Sequence, residues 1–400
     1  MQEINFLPQS QIALNNLLLF GVLLLAGLLG GSLFHAVLRL PRIVGFLVVG
    51  MLLGPAGLNW LTNATLEDAQ VFVDIGLGLV LYELGNRLDL KWYARNRWLL
   101  ASGIAESALA FLCVYVALYF LGVEPLIAAL LASMAVSTSP AVLTYLTREL
   151  KAEGQVTERA LNYTALNNVI AFFGVAVLLP VLHLEHRAGV MTVVLHPLYL
   201  LLGSALLGLV LAAVGIKLAG LMGKREGHHF ILIVSLVVIA VGAAEALRFS
   251  VLLSVLTLGI LTRNLDTHRV LMPVEFGRGG ELFIIVLFVV SGARLHFDGS
   301  LLDVGWMGAT IVIARFVGKW VGLSLFAHTG PLGLGGGWNL TLVMQPLSGA
   351  VLVSTLGLTG NYPEVGASLA AALMLALAVL ELLGPIAAQW GLKRAGETHS

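Results

Sequence analysis

The chain has 400 residues, 58% of them hydrophobic and only 11% charged, with 22 basic side chains balancing 22 acidic ones. That composition leaves too little polar surface to cover a soluble globule of this size, and it reads as an all-α polytopic membrane protein. No enzymatic role, cofactor or nucleic-acid partner is expected.

The N-terminal stretch MQEINFLPQSQ lacks the basic n-region of a cleaved signal, so the first apolar segment is expected to be retained. From there, apolar runs near the roughly 20 residues that cross a bilayer as a helix follow one another along almost the whole length. Runs near 14–38, 43–58, 69–87, 98–121, 125–147, 160–181, 192–222, 229–246, 249–263, 280–297, 301–327, 337–358 and 366–391 predict about thirteen transmembrane helices. No strand followed by GxGxxG occurs, so no soluble regulatory domain is expected. The single cysteine, Cys113, sits in an apolar run as a packing residue.

Lys and Arg in short loops mark the cytoplasmic side. With thirteen spans and the N-terminus outside, seventeen of the 22 basic residues fall in cytoplasmic loops. Three (Arg187, Arg248 and Arg294) fall outside, and the other two (Arg315 and Lys319) lie within the eleventh span. The bias predicts an N-out, C-in topology.

Two spans carry helix breakers. The fifth contains AVSTSPAVL, with Ser137, Thr138, Ser139 and Pro140, and the twelfth contains VMQPLSGAV, with Gln345, Pro346, Ser348 and Gly349. Proline removes a backbone donor and disrupts the preceding turn, while Ser, Thr and Gln can satisfy the groups set free. A proline kink explains either segment alone. Seven spans apart, they run in opposite directions, as in an inverted-repeat transporter whose two broken helices cross at the midplane.

Polar groups inside the spans sharpen this. Arg315 and Lys319 are four residues apart, hence on one helical face, and each costs roughly 2.5 to 3.5 kcal/mol at a helix centre. Snorkelling is one way out; the other is that this face points into the bundle, toward carboxylates or the negative end of a broken helix. Glu106 and Glu381 should lie deep, Asp74 near the outer mouth, and Glu83 one turn from Arg87. Glu245 and Glu281, each three residues from an arginine (Arg248 and Arg278), are expected to be mainly structural. The adjacent amides Asn167 and Asn168 in ALNNVIAFF follow directly on the broken fifth span, where a midplane site would be completed.

In order and spacing these segments resemble the monovalent cation:proton antiporters, especially the Kef-like branch, with a sodium/proton-exchanger-type transmembrane domain covering 1–400. PRIVGFLVVGMLLGPAGL looks like the family's second helix, STSPAVL like its first unwound crossing segment, and MQPLSGAV occupies the second. FVGKWVGLSLF is similar to the helix with the family's characteristic basic residue, which falls on Lys319, and ELLGPIAAQWGLKRAGE looks like the closing helix. The resemblance implies a core, about 98–182 and 301–393, moving elevator-fashion against a dimerisation scaffold, about 14–87 and 192–297. It also implies a homodimer in the bacterial inner (plasma) membrane exchanging Na+ or K+ for protons. The resemblance places the family's ion-binding carboxylate in ALNNVIAFF, as the second residue of an Asn-Asp, Asp-Asp or Gln-Asp pair, and here that residue is Asn168.

An amide can ligate a cation but cannot titrate. Three readings follow: a cation:proton antiporter in which Glu106, another core carboxylate or Lys319 supplies the proton; a relative that carries a small anion or organic solute; or a non-transporting sensor or scaffold. Candidate ion-binding and transport residues are Asn167, Asn168, Thr138, Ser139, Lys319, Arg315, Glu106, Gln345 and Ser348. No metal is expected beyond the transported monovalent cation.

Overall fold

A computed structural model of the chain describes residues 16–186, 190–223, 226–266, 270–271, 277–295, 301–326, 333–349 and 363–399. These residues are helical with short connections, and no strand occurs among them. In chain order the helices are α1 (Asn16–Leu33, continued by a π-helical turn, Phe34–Leu38), α2 (Arg42–Leu53), α3 (Asn63–Asp68), α4 (Gln70–Arg87), α5 (Leu90–Arg95), α6 (Arg97–Phe120), α7 (Pro125–Val136) and α8 (Pro140–Glu149). Then follow α9 (Gln155–His186), α10 (Val190–Met222), α11 (Glu226–Ala246), α12 (Val251–Leu265), α13 (Gly277–Arg294), α14 (Leu301–Leu325), α15 (Gly333–Val343) and α16 (Pro363–Ala395).

Each predicted apolar segment contains helix among its described residues, with the fifth and twelfth unwound at 137–139 and 344–349; the second half of the twelfth, 350–358, lies outside the described residues. Among the described residues, eight helical segments are long and apolar enough to cross a membrane, and α2 and α12 are shorter apolar helices. α4 and α13 are less apolar because each holds three charged residues: Asp74, Glu83 and Arg87 in one, Arg278, Glu281 and Arg294 in the other. The amphipathic turns α3 and α5, which the apolar pattern does not reveal, are set by local caps. The Thr62 hydroxyl accepts from Thr65 N and the Asp89 carboxylate from Trp92 N.

Two packing groups emerge. α1, α2, α4 and α10–α13 pack mainly on one another, as do α6, α7 and α14–α16, and α9 touches both groups. Close approach depends on glycine. A Cβ added at Gly322 of α14 would lie 2.5 Å from Cα of Glu106, and one at Gly318 would lie 2.6 Å from Cα of Ala110. The Gly318-xxx-Gly322 stripe therefore seats α14 directly on the backbone of α6, the most extensive helix pair in the structure.

Charges collect at one end of the bundle. Arg148 of α8 binds Glu83 of α4 through both carboxylate oxygens at 2.7 Å, and Arg87 reaches the same carboxylate at 3.5 Å. Glu149 of α8 meets His35 and Arg42, both at 3.5 Å, and Arg263 pairs with Asp89 at 3.4 Å. The C-terminal segment closes the same end: the Glu397 carboxylate accepts from Val156 N, Thr157 N and the Thr157 hydroxyl, capping the start of α9. Arg187, Lys224, Arg225 and Arg269 lie outside the described residues.

Candidate functional site

The site is built where two chain interruptions meet. α7 ends at Val136, Ser137 and Thr138 continue without helical bonding, and α8 restarts at Pro140, whose missing N–H is one the first turn does not need. The Ser139 hydroxyl caps the new helix by accepting from Val142 N at 3.3 Å. α15 ends at Val343 and the chain is non-helical from Gln345 to Ser348. Ser139 N donates to the Pro346 carbonyl at 2.9 Å, so the two unwound segments are hydrogen-bonded to each other.

This brings the C-terminal carbonyls of α7 and α15 together, two partial negative charges in a buried interior. Arg315 answers both. Its Nε donates to Ala135 O at 2.7 Å, one terminal nitrogen to Gln345 O at 2.8 Å, and the other to Ser137 O at 2.9 Å and, more weakly, Met344 O at 3.3 Å. Gln345 adds its side-chain oxygen at 3.3 Å while its amide nitrogen holds Thr341 O. Arg315 is fully buried, and a planar fork with five donors can join two helix ends in this way.

Lys319, one turn on and equally buried, donates to Val136 O at 3.2 Å and to the Thr138 hydroxyl at 3.1 Å, and it pairs directly with the Glu106 carboxylate. The Ser107 hydroxyl gives its proton to Asn167 Oδ1 at 2.7 Å, and the Asn167 amide spans the Thr138 hydroxyl at 3.3 Å and Glu106 at 3.4 Å. Asn168 differs from Asn167. Its amide nitrogen donates to two carbonyls, Thr138 O at 2.7 Å and Thr164 O at 2.8 Å, which fixes the orientation of the group. Its Oδ1 is buried and has no hydrogen-bond partner among the described residues.

Seven of the nine candidate residues thus form one network: Thr138, Asn167, Asn168, Glu106, Lys319, Arg315 and Gln345. Ser139 and Ser348 are also buried, but they line a small cavity shared with Glu381. A vestibule of about 720 Å³ opens beyond that cavity, lined by Glu67, Asp74, Glu245 and Arg294. Glu245, expected to be structural, makes no ion pair with Arg248 and contributes to this acidic wall instead; the Arg278 side chain beside Glu281 is outside the described residues. Asp74 is held there by Gln70 Nε2 at 2.6 Å. A second vestibule, about 780 Å³, lies at the basic end among Arg87, Asp89, Glu158, Arg159, Asn162 and Arg263. The Trp92 backbone bond and the nearby Arg263 charge hold the Asp89 carboxyl below the usual carboxylate range.

The helix seam gives a first prediction. Gly322→Ala puts a methyl group against the Glu106 backbone, which cannot yield as a side-chain tip can, and is expected to cost about 1–3 kcal/mol. Thermal unfolding in detergent should register the loss; an unchanged melting temperature would show that α6 and α14 can separate freely.

These features define a class: a polytopic helical membrane protein whose buried polar site lies where two unwound segments meet. The family model described as "Sodium/hydrogen exchanger, transmembrane" matches residues 20–393, and the chain belongs to that family. It is 25% identical over 364 residues to the Na(+)/H(+) antiporter NhaS5 of Synechocystis sp., an alignment covering 90% of this chain and 49% of that protein. The chain therefore spans about half the length of that relative. Two structures of the sodium proton antiporter MjNhaP1 from Methanocaldococcus jannaschii, one at pH 8 and one an electron microscopy map, each superpose with a TM-score of 0.72 at 16% identity. They cover 96% and 95% of this chain and 98% of the matched chain, and they show a shared fold.

Proposed function

We propose that the chain is a secondary active transporter exchanging a monovalent cation, Na+ or K+, for a proton. The observation that carries this reading is the buried Lys319–Glu106 pair, held at the crossing beside Thr138 and Asn167. One carboxylate offsets one positive charge at a fully buried site. A cation that binds Glu106, with the Thr138 hydroxyl and the Asn167 and Asn168 amide oxygens as further ligands, takes the place of the Lys319 ammonium. The lysine then releases its proton, and the charge of the site is unchanged. No titrating group at Asn168 is needed.

For access from both sides, α6–α9 and α14–α16 would move as a core against a scaffold of α1, α2, α4 and α10–α13, alternately opening the two vestibules. The Arg148–Glu83 pair and the Glu149 cluster join these parts at the basic end and would open in the alternative state. An N-out, C-in orientation, a homodimer and a place in the plasma membrane complete the proposal. The small-anion alternative finds less support, because the Arg315 donors are engaged by carbonyls and Lys319 by Glu106.

In proteoliposomes with an imposed pH gradient, cation-dependent dequenching of a pH dye is expected to survive Asn168→Ala and to vanish in Lys319→Ala. Silence toward sodium, potassium and lithium alike, across about pH 6 to 9, would rule the reading out.

A further inference from the structure

A small cavity apart from the Lys319 network is lined by Gln70, Ser139, Ser291, Ser348 and Glu381. Glu381 of α16 is 3% exposed; among the described residues its Oε2 has no hydrogen-bond partner and it forms no ion pair. A Cβ built at Gly349 would lie 3.3 Å from Glu381 Oε1 and 3.7 Å from the Ser291 hydroxyl, so carboxyl and hydroxyl border one space that glycine leaves open. The cavity holds about 30 Å³, close to the share of one water molecule and enough for one dehydrated alkali cation.

Five elements supply oxygen donors to this space: Gln70 from α4, Ser139 from the cap of α8, Ser291 from α13, Ser348 from the second unwound segment and Glu381 from α16. The Gln70 amide nitrogen is committed to Asp74 at 2.6 Å, which leaves its oxygen as the group it can offer. Ser139 Oγ accepts from Val142 N at 3.3 Å and keeps a second lone pair. The start of α8 opposes a cation only weakly: Pro140 has no N–H, and Ser139 takes up the N–H groups of both Val142 and Leu143.

Charge selects the ligand. Arg294 of α13 is the one basic residue on the cavity wall, and its guanidinium donates to Leu66 O at 3.1 Å. The cavity shares Gln70, Leu77 and Arg294 with the 720 Å³ vestibule, where Glu67, Asp74 and Glu245 outnumber Arg294 and draw cations to the mouth. Inside, an ionised carboxylate without a partner is costly, and one positive charge balances it. A second positive charge would face Arg294 uncompensated, and a divalent ion would need more ligands and more room.

We propose that Glu381, with the oxygens of Gln70, Ser139, Ser291 and Ser348, binds a monovalent alkali cation at a site separate from the Glu106 site. The cation enters from the acidic vestibule and leaves the same way, so nothing charged passes the apolar part of the wall, Val73, Leu77, Leu287 and Phe288. Bound there, it ties α4 and α13 to α16 and to both unwound segments.

The test is made where the other site has lost both its charges, in the full chain carrying Glu106→Gln and Lys319→Met together. At about pH 9, where a carboxylate competes least for protons, exchanging choline for sodium or potassium should raise the melting temperature by several degrees. Adding Glu381→Gln should abolish the rise. Gly349→Ala, which keeps the carboxylate but sets a methyl group beside it, and Ser291→Ala should each raise the half-saturating cation concentration about tenfold or more. No rise in the starting variant, or one that survives Glu381→Gln or is unmoved by Gly349→Ala, overturns the proposal. Thallium soaked into crystals of the parent should give an anomalous peak beside Glu381 Oε2, whatever it gives at Glu106, and no peak there overturns the proposal as well. A parent that moves no cation across a membrane defeats the exchange reading alone, because both measurements report binding.

Discussion

Glu106→Gln alone and Lys319→Met alone are each expected to destabilise the protein by about 3–5 kcal/mol, whereas the double variant recovers most of the loss. The reason is the asymmetry between making and breaking a buried pair. Both side chains are fully buried, so removing either partner leaves a full charge without its counter-charge, while replacing both leaves neutral groups of similar volume. The two single variants should differ. In Glu106→Gln the ammonium keeps Val136 O, the Thr138 hydroxyl and the negative end of α7, but in Lys319→Met the carboxylate keeps only the 3.4 Å contacts from Asn167 and Ser107. Lys319→Met should therefore be the less stable of the two. Melting temperatures of the four proteins in detergent form a double-mutant cycle that measures the coupling, and strict additivity would mean the pair does not exist in solution. The double variant also separates folding from exchange: it should be stable and inactive, and cation-driven proton flux through it would remove the pair from the mechanism.

The path from sequence to this site is uneven for physical reasons. The two interruptions are legible because Pro140 and Pro346 act locally, each within a turn of the break it causes. The burial of Arg315 and Lys319 follows from the cost of charge in hydrocarbon, and the glycines flanking Lys319 mark the face that meets another helix. What Arg315 touches is not legible. Its acceptors are backbone carbonyls at 135, 137, 344 and 345, and a carbonyl is present at every residue. Glu83 shows the same limit for side chains: spacing points to Arg87, four residues on, yet the shorter bond comes from Arg148, 65 residues away. The cap on α9 by Glu397, some 240 residues distant, leaves no trace in any local pattern.

The substitution most revealing of the site's chemistry is Asn168→Asp. In the native chain the amide nitrogen of Asn168 donates to Thr138 O and Thr164 O, so one NH2 group serves two carbonyls, one in the unwound segment and one on its own helix, α9. That nitrogen stands where three oxygens would otherwise converge. Aspartate restores the third oxygen and removes both donors, setting a carboxylate 2.7 and 2.8 Å from two carbonyl oxygens in a fully buried position. Such a cluster persists only with a proton on the carboxylate or a cation among the oxygens. The variant should therefore melt lower than the parent in choline buffer at alkaline pH and recover when sodium is added. Mass action sets the size: a cation at about 100 times its dissociation constant contributes about 2.7 kcal/mol, a rise of several degrees in a chain of this length. Acidification should stabilise the variant in the same direction, because a proton and a cation compete for one carboxylate. A variant that melts identically in sodium and choline would show that the oxygens do not converge. Cation-dependent proton flux that appears only in Asn168→Asp would mean that the natural amide, by bonding both carbonyls itself, has closed the site that the carboxylate opens.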